Sequence, residues 1–472
     1  MARGFRHLLH VWLSALIPIL AAGTPGRAAE PAGTVAIVAD IHFNPLATPE
    51  LAPRLAASGP EEWPAVFGSA REHNFPLRGQ DTNQALLASA LAALSDKAAS
   101  ADLVIVTGDL LAHRFEESAA EALGASPRSD IVQALAAKTV LYVSASLRAA
   151  VPDRPILIAL GNNDSACGDY QIEPGGAFLA SLREMVRDFA GSERLGAEFD
   201  RTYMAGGYYA MRHPGRAQTT LLVLNDVLWS TNYRNACGTD GDESADAMMA
   251  WLERELDAAR VEGRQVWLVH HIPVGIDSYA TLRAPADLAC QARGVPFLKE
   301  PYASRFAMLL REHAATIQAN LAGHTHQDDY RLITDAGRAA GVEKIAPSIS
   351  PIFGNNPGFH LFAYDKQTGD PTDFSTWFLA NLDQASTANP GEWRREYIFT
   401  EAYGELSYSA AAVERIRDAM LGDGTIGESI RSNFRRFYQV GGGEIAPGTL
   451  SAYACSFGNL DPASLASCYC DK

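Results

Sequence analysis

Five short apolar runs between residues 35 and 322 each end in aspartate, asparagine or histidine. Residues 35–39 lead into Asp40-Ile41-His42, 103–107 into Gly108-Asp109, and 156–160 into Gly161-Asn162-Asn163-Asp164. Residues 266–269 lead into His270-His271, and 317–322 into Gly323-His324-Thr325-His326. Apolar runs of this length, bounded by glycine and polar residues, read as buried strands. In an α/β sheet the loops at the carboxyl ends of the strands converge to build a site. Each motif alone is common in unrelated chains. The ordered set brings carboxylate, amide and imidazole donors from remote segments to one sheet edge, which is the donor chemistry of a dinuclear metal site.

Strand and helix patterns alternate through the middle of the chain. Strands are expected at 35–40, 103–109, 156–161, 219–226, 265–271 and 317–323, then at 344–350, 359–364 and 374–379. Helical periodicity is clearest at 81–98, 130–149, 176–189, 245–259 and 303–313. Strands alternating with helices, then following one another closely, predict an α/β sandwich with mixed sheets. From Tyr397 the pattern turns helical, at 410–421 and 428–438, before a Gly441-Gly442-Gly443 break and a cysteine-bearing tail. This end is expected to form a small helical subdomain held by disulfides.

The 472 residues are 47% hydrophobic and 20% charged, a globular balance that excludes a largely disordered or coiled-coil chain. A formal net charge of −16 argues against general nucleic-acid binding, whose affinity comes from Lys and Arg contacts to phosphate. It argues equally against holding anionic membranes by charge. A phosphate-bearing substrate must be attracted locally, and a pair of divalent cations does that.

Arg3 and Arg6 precede an apolar stretch at 11–22, with small residues around 21–23 and 28–29, the pattern of a signal peptide over residues 1–29. The stretch is too short for a membrane span. The mature chain, with a formal charge of about −19, is therefore expected to be exported to the periplasm or the medium without an integral membrane segment. Six cysteines follow, and an even count in an exported chain suggests disulfides. Cys167 with Cys237, and Cys455 with Cys468 or Cys470, are the expected pairs. The one Asn-x-Ser/Thr sequon, Asn163-Asp164-Ser165, falls inside the candidate site, which fits bacterial export.

The order Asp-x-His, Gly-Asp, Gly-Asn, His-His, Gly-His-Thr-His resembles the signature of the calcineurin-like metallophosphoesterases. Within that superfamily the chain particularly resembles acid sphingomyelinase and the sphingomyelinase-like phosphodiesterases. The resemblance rests on Gly108-Asp109-Leu110-Leu111-Ala112-His113, His271-Ile272-Pro273-Val274-Gly275, Gly323-His324-Thr325-His326-Gln327-Asp328 and the helical cysteine-bearing tail. It implies a metallophosphoesterase αββα sandwich over 31–396 with a small helical C-terminal subdomain over 397–472. It also implies two divalent metal ions, zinc with manganese or iron as alternatives. Asp40, His42, Asp109 and His326 would hold one, and Asp109, Asn162, His271 and His324 the other. Such a pair activates water as hydroxide for in-line attack on a phosphodiester or pyrophosphate bond. His270 is expected behind the sheet, because adjacent strand side chains point to opposite faces.

Two departures from the family bear on mechanism and substrate. Many relatives carry Gly-Asn-His, whose histidine can protonate the leaving group. Here that position is Asn163, an amide that can orient phosphate but cannot supply a proton. His113 matches the histidine that follows the Gly-Asp motif in the sphingomyelinase-like family and is the expected general acid, the alternative being a surface loop histidine. Endopolyphosphatases share the Gly-Asn-Asn-Asp sequence. Second, only about ten residues separate the expected cleavage site from Asp40, too few for the saposin-like domain that precedes the catalytic domain of acid sphingomyelinase. This leans toward a small soluble phosphodiester or nucleotide-like pyrophosphate, with a phospholipid head group left open. The competing readings are an endopolyphosphatase or phosphomonoesterase on the same scaffold, and a metal-stabilised binding protein without turnover. Residues 348–358 read equally as a phosphate-approaching loop or a plain connection. In the long loop 43–78, Trp63, Phe67 and Phe75 are expected to pack rather than to face substrate.

Overall fold

The computed structural model describes Met1 and residues 32–70, 74–234, 243–285 and 287–470. The expected signal peptide, apart from Met1, and Cys237 lie outside the described residues. The described strands are β1 (Ala32–Val38), β2 (Leu103–Val106), β3 (Ile156–Ile158), β4 (Tyr209–Arg212), β5 (Thr219–Val223) and β6 (Gln265–Val269). They continue with β7 (Ile317–Ala322), β8 (Asp329–Asp335), β9 (Arg338–Ile345), β10 (Gly358–Asp365), β11 (Pro371–Leu379) and β12 (Trp393–Ile398). Two six-stranded sheets result, in the orders β12-β11-β10-β1-β2-β3 and β4-β5-β6-β7-β9-β8. Both are mixed: β1, β2 and β3 are parallel in the first, and β5, β6, β7 and β9 in the second.

The sheets face each other across a common core. Along β5 and β6, Leu221, Val223, Trp267 and Val269 join that core. Their neighbours Leu222, Val266 and Leu268 pack outward with Trp251, Leu252 and Phe306 from the helices Glu243–Glu262 and Tyr302–Glu312. This alternation is the two-residue period of a strand buried on both faces. Trp267 and Tyr364 meet edge-on across the sheets at 5.6 Å. The helices Gln84–Lys97, Asp130–Ala150 and Ala177–Ala190 cover the first sheet. The expected αββα sandwich is thus present.

Several local expectations need correction. The helix expected from 81 starts at Gln84, because the Asn83 side chain caps it by accepting the Leu86 N–H at 3.0 Å. Asp81 is therefore left in a loop. The strand expected at 344–350 is β9 up to Ile345, after which only an isolated bridge joins Ser348 to Ala39. The segment 43–78 is not a bare loop, since it carries the helices Ala52–Ala57 and Trp63–Gly68. Its aromatics do pack: Trp63, Phe67 and Phe75 are buried, and the first two lie 5.2 and 5.5 Å from the Tyr142 ring.

The C-terminal helical stretch packs on the outer edge of the second sheet, where Phe457 meets Tyr330 at 5.7 Å. Cys455 pairs with Cys468, one of the two expected options, and Cys470 pairs with Cys290. Cys167 is disulfide-bonded. No described helix is long and apolar enough to cross a membrane.

Candidate metal centre

The ligand-bearing loops leave their strands through an unusual backbone step. Asp40 (φ 48°), His42 (43°), Asp109 (57°), His324 (71°) and His326 (63°) all take positive φ, five of the nine non-glycine residues that do so among the described residues. Asp, Asn and His tolerate this region better than other L-residues. The glycines beside them allow close approach. A Cβ on Gly108 would lie 2.6 Å from Gly161 N and 2.9 Å from His271 Nδ1, and one on Gly323 would lie 2.8 Å from Asp40 Oδ2.

Two groups of donor atoms result, and Asp109 belongs to both. In the first, His42 Nε2 lies 3.0 Å from His326 Nε2, 3.3 Å from Asp109 Oδ2 and 3.8 Å from Asp40 Oδ1, with His326 Nε2 3.6 Å from Asp40 Oδ1. In the second, His271 Nε2 lies 3.3 Å from the same Asp109 Oδ2, 3.0 Å from Asn162 Oδ1 and 3.3 Å from His324 Nδ1. Ligands about 2.0–2.2 Å from a shared zinc-like ion sit at such separations from one another. Two imidazole Nε2 atoms facing each other at 3.0 Å is an arrangement that a cation between them satisfies. The donor set therefore fits the metal pair that the sequence implies.

Neighbouring groups aim these donors. The Nδ1 atoms of His42 and His271 donate to the Leu111 and Thr107 carbonyls at 2.8 and 2.9 Å, so that Nε2 is the nitrogen each ring turns inward. Asn162 donates from Nδ2 to Asp169 Oδ1 at 2.7 Å, which turns its oxygen toward His271. The Asp164 carboxylate accepts the backbone N–H groups of Asp109, Leu110, Leu111 and Gly161 at 2.8–3.1 Å. Asp226 accepts the N–H of Ile272 at 3.1 Å and a longer bond from His271 N–H. Burial alone would lower the histidines, but the surrounding carboxylates together outweigh it, Asp109 foremost with Asp40 and Asp81 at His42 and with Asp40 and Asp226 at His271, and push His42 up to about 9 and His271 up to about 10. Burial likewise works against the charged form of Asp109, and His271 and His42 hold it well below the usual carboxylate range.

His270 lies behind the sheet, as the strand alternation predicts. It is fully buried between Asp226 Oδ2 at 2.8 Å and Glu343 Oε1 at 3.2 Å, with Asn320 Oδ1 at 2.8 Å.

A pocket of about 330 Å³ opens over the donors and includes Asp109, Asn162, His113, His324, His326 and Phe353 in its wall. A larger groove of about 600 Å³ runs past Gln265 and Ile317 at the opposite ends of β6 and β7, away from every donor named above. His113 sits at the mouth of the first pocket, stacked on His42 with ring centroids 4.0 Å apart. Asn163 faces Asp109 instead: its backbone N–H donates to Oδ1 at 2.8 Å and its side-chain amide to Oδ2 at 3.0 Å. The turn-rich stretch 348–358 connects β9 to β10 and also borders the pocket. Phe353 reaches the pocket, while Asn355 ties the stretch together through Ser348 Oγ and two carbonyls at 2.9–3.1 Å.

Residues 33–328 match the calcineurin-like phosphoesterase family. The chain belongs to the calcineurin-like phosphoesterases. Residues 340–409 match the acid sphingomyelin phosphodiesterase C-terminal region. Among relatives, a human protein named acid sphingomyelinase-like phosphodiesterase 3b is 27% identical over 76% of this chain and 72% of its own length. A mouse protein named cyclic GMP-AMP phosphodiesterase SMPDL3A is 23% identical over 68% of this chain and 67% of its own. Sphingomyelinase phosphodiesterase D from Dictyostelium discoideum is 27% identical over 69% of this chain and 66% of its own. A dimetal phosphatase structure from Danio rerio aligns with a TM-score of 0.41 at 12% identity, covering 78% of this chain and all of that one. This calcineurin-like phosphoesterase is accordingly a hydrolase of phosphoric esters, of the sphingomyelinase-like kind.

Four acidic residues around its site escaped the sequence reading: Asp81, Asp164, Asp169 and Asp226. Two left a signal. Asp164 closes the Gly-Asn-Asn-Asp motif, and Asp226 ends the apolar run of β5 as the ligands end theirs. Asp81 and Asp169 stand in loops with no pattern to mark them.

Proposed function

We propose that this chain is an exported phosphodiesterase that hydrolyses phosphodiester or pyrophosphate bonds of small phosphorylated substrates with two divalent metal ions, zinc foremost. The observation that carries the reading is the single Asp109 oxygen 3.3 Å from both His42 Nε2 and His271 Nε2, beneath an open pocket. Asp40, His42, Asp109 and His326 would hold one ion, and Asp109, Asn162, His271 and His324 the other. When bound, such ions supply Lewis acidity and lower the pKa of water. The protein contributes orientation. Backbone carbonyls fix the imidazoles, Asp169 fixes Asn162, and Asn163 and Asp164 fix Asp109. His113 is the proton donor to the leaving oxygen. Phe353, Tyr170 and Phe297 give the pocket aromatic walls suited to a nucleotide-like or head-group substituent. The two disulfides with both partners described, and the apolar stretch at 11–22, support export.

The test is hydrolysis of bis-p-nitrophenyl phosphate, ATP, p-nitrophenyl phosphate and polyphosphate by zinc- and manganese-reconstituted protein beside Asp109→Asn. Preference for the diester or ATP, lost in the variant, supports the reading. Preference for the monoester or for polyphosphate transfers it to the corresponding activity on this scaffold. Full metal content without turnover on any of the four ends the enzymatic reading.

A further inference from the structure

We propose that Asp81 is a positioning residue that holds His113 in one tautomer and one orientation, so that its Nε2 is the nitrogen presented to the leaving group. This rests on the phosphodiesterase reading and deepens it. Asp81 grips His113 twice: Oδ2 accepts the His113 backbone N–H at 2.9 Å, and Oδ1 lies 3.0 Å from Nδ1. A carboxylate is an acceptor only, so Nδ1 must carry the hydrogen in that bond. Ser350 donates to the same Oδ1 at 3.0 Å, closing the carboxylate's remaining freedom. The ring plane is fixed independently, by the stack on His42 at an interplanar angle of 21° and by Phe353 edge-on at 5.6 Å. The side chain of Asp81 is 7% exposed against 26% for His113, so the carboxylate is the buried anchor and the imidazole the accessible tip.

The backbone explains how Asp81 reaches this place. The N-cap at Asn83 ends the helix before Asp81, and Thr82 is tied to the ligand strand: its N–H donates to the His42 carbonyl at 3.1 Å and its carbonyl accepts from Asn44 at 2.8 Å. Asp81 is thereby registered to His42, the ring on which His113 rests. In the reaction, the bond from phosphorus to the leaving oxygen breaks with its electron pair on that oxygen, which takes the proton from Nε2. Nδ1 keeps its hydrogen on Asp81, the imidazole regains a proton from solvent, and one water is consumed per ester cleaved.

The experiment compares wild type, Asp81→Asn, His113→Gln and the double variant on two symmetric diesters, bis-p-nitrophenyl phosphate and diphenyl phosphate. The poorer leaving group needs the proton more. In Asp81→Asn we expect kcat to fall about 3-fold or less on the nitrophenyl ester and about 30-fold or more on the phenyl ester, with KM within about 2-fold. His113→Gln should fall further in the same pattern, and the double variant no further than His113→Gln. Equal losses on both esters, or losses that multiply in the double variant, overturn the proposal. Independently of any variant's folding, ¹⁵N NMR of the zinc-loaded wild type, with His113→Gln marking the signal, should show the hydrogen on Nδ1. A neutral His113 with its hydrogen on Nε2 overturns the proposal. If the loaded wild type cleaves neither ester, the phosphodiesterase reading falls, and the proton-donor role with it, while the tautomer still reports whether Asp81 holds the ring.

Discussion

Asp164 accepts the backbone N–H of Asp109 at 2.8 Å, so the residue shared by both donor groups is held through its main chain by a second aspartate. Three further N–H groups end on the same carboxylate. Asp164→Ala leaves all four without an acceptor in a buried loop, each worth about 1–3 kcal/mol when orphaned, though water and relaxation recover part. We expect a net loss of about 3–5 kcal/mol in stability and about 10–100-fold weaker metal binding. Denaturant melts and a metal-competition titration measure the two; an unchanged metal affinity would show that Asp164 does not set the Asp109 loop.

Metal binding and proton release should be linked. Without ions, the carboxylates around them, Asp109 foremost, together outweigh burial and keep His42 and His271 protonated near neutral pH. Ions that coordinate these imidazoles must displace the protons, so loading at pH 7.5 should release about two protons per chain. Calorimetry in buffers of different ionisation enthalpy reads the number, and a value near zero contradicts it.

The buried cluster of His270, Asp226 and Glu343 behind the sheet predicts an alkaline weakness. Burial alone would lower His270, but Asp226 and Glu343 outweigh it and push it up to about 10. A raised folded pKa stabilises fully below the unfolded value of about 6.5 and loses that contribution as pH rises toward 10. His270→Leu, which strands two buried carboxylates, should cost about 3–5 kcal/mol at pH 7. Thermal melts of both proteins from pH 6 to 10 should converge as pH rises.

His213 predicts the opposite slope. It is wedged edge-on between the Trp267 and Tyr364 rings, each 5.0 Å away, and accepts the Gly215 N–H at Nδ1. Burial pulls its pKa down to about 4. The unfolded chain then takes up a proton that the folded chain refuses, and stability falls as pH drops from about 6.5 toward 4, by about 2–3 kcal/mol in all. His213→Gln should flatten this part of the stability profile; an unchanged acid slope would assign it to other groups.

How much of this was legible in the sequence differs by element. Strands that are apolar on both faces, such as β2 with Leu103, Val104, Ile105 and Val106 all fully buried, announce themselves. β8 does not: it buries Asp329 and Arg331 as an ion pair at 2.7 Å, so a buried edge strand, covered by the C-terminal helices, reads as a charged loop. β12 is an edge strand that exposes Arg394 and Arg395, and β4 is four residues long. In the site, all seven expected ligands fall within the two donor groups because strand ends fix them. Asp81 was unreadable because its partner Ser350 lies far along the chain, and Asp169 because the turn that brings it back to Asn162, seven residues earlier, carries no motif. The expected disulfide between the tail and itself was visible, whereas Cys290–Cys470 depends on folding a loop 180 residues away onto the tail.

The left-handed steps at Asp40, His42, Asp109, His324 and His326 imply something for anyone who would transplant this centre. Copying the seven side chains onto ordinary right-handed turns would reproduce the formula and miss the stereochemistry, because here the aim of five of the seven donors is set in the main chain before any rotamer is chosen. A graft would have to carry the strand endings, the glycines between them and the buried aspartates that pin the loops. The portable unit is a scaffold edge, and the seven residues are only its visible inscription.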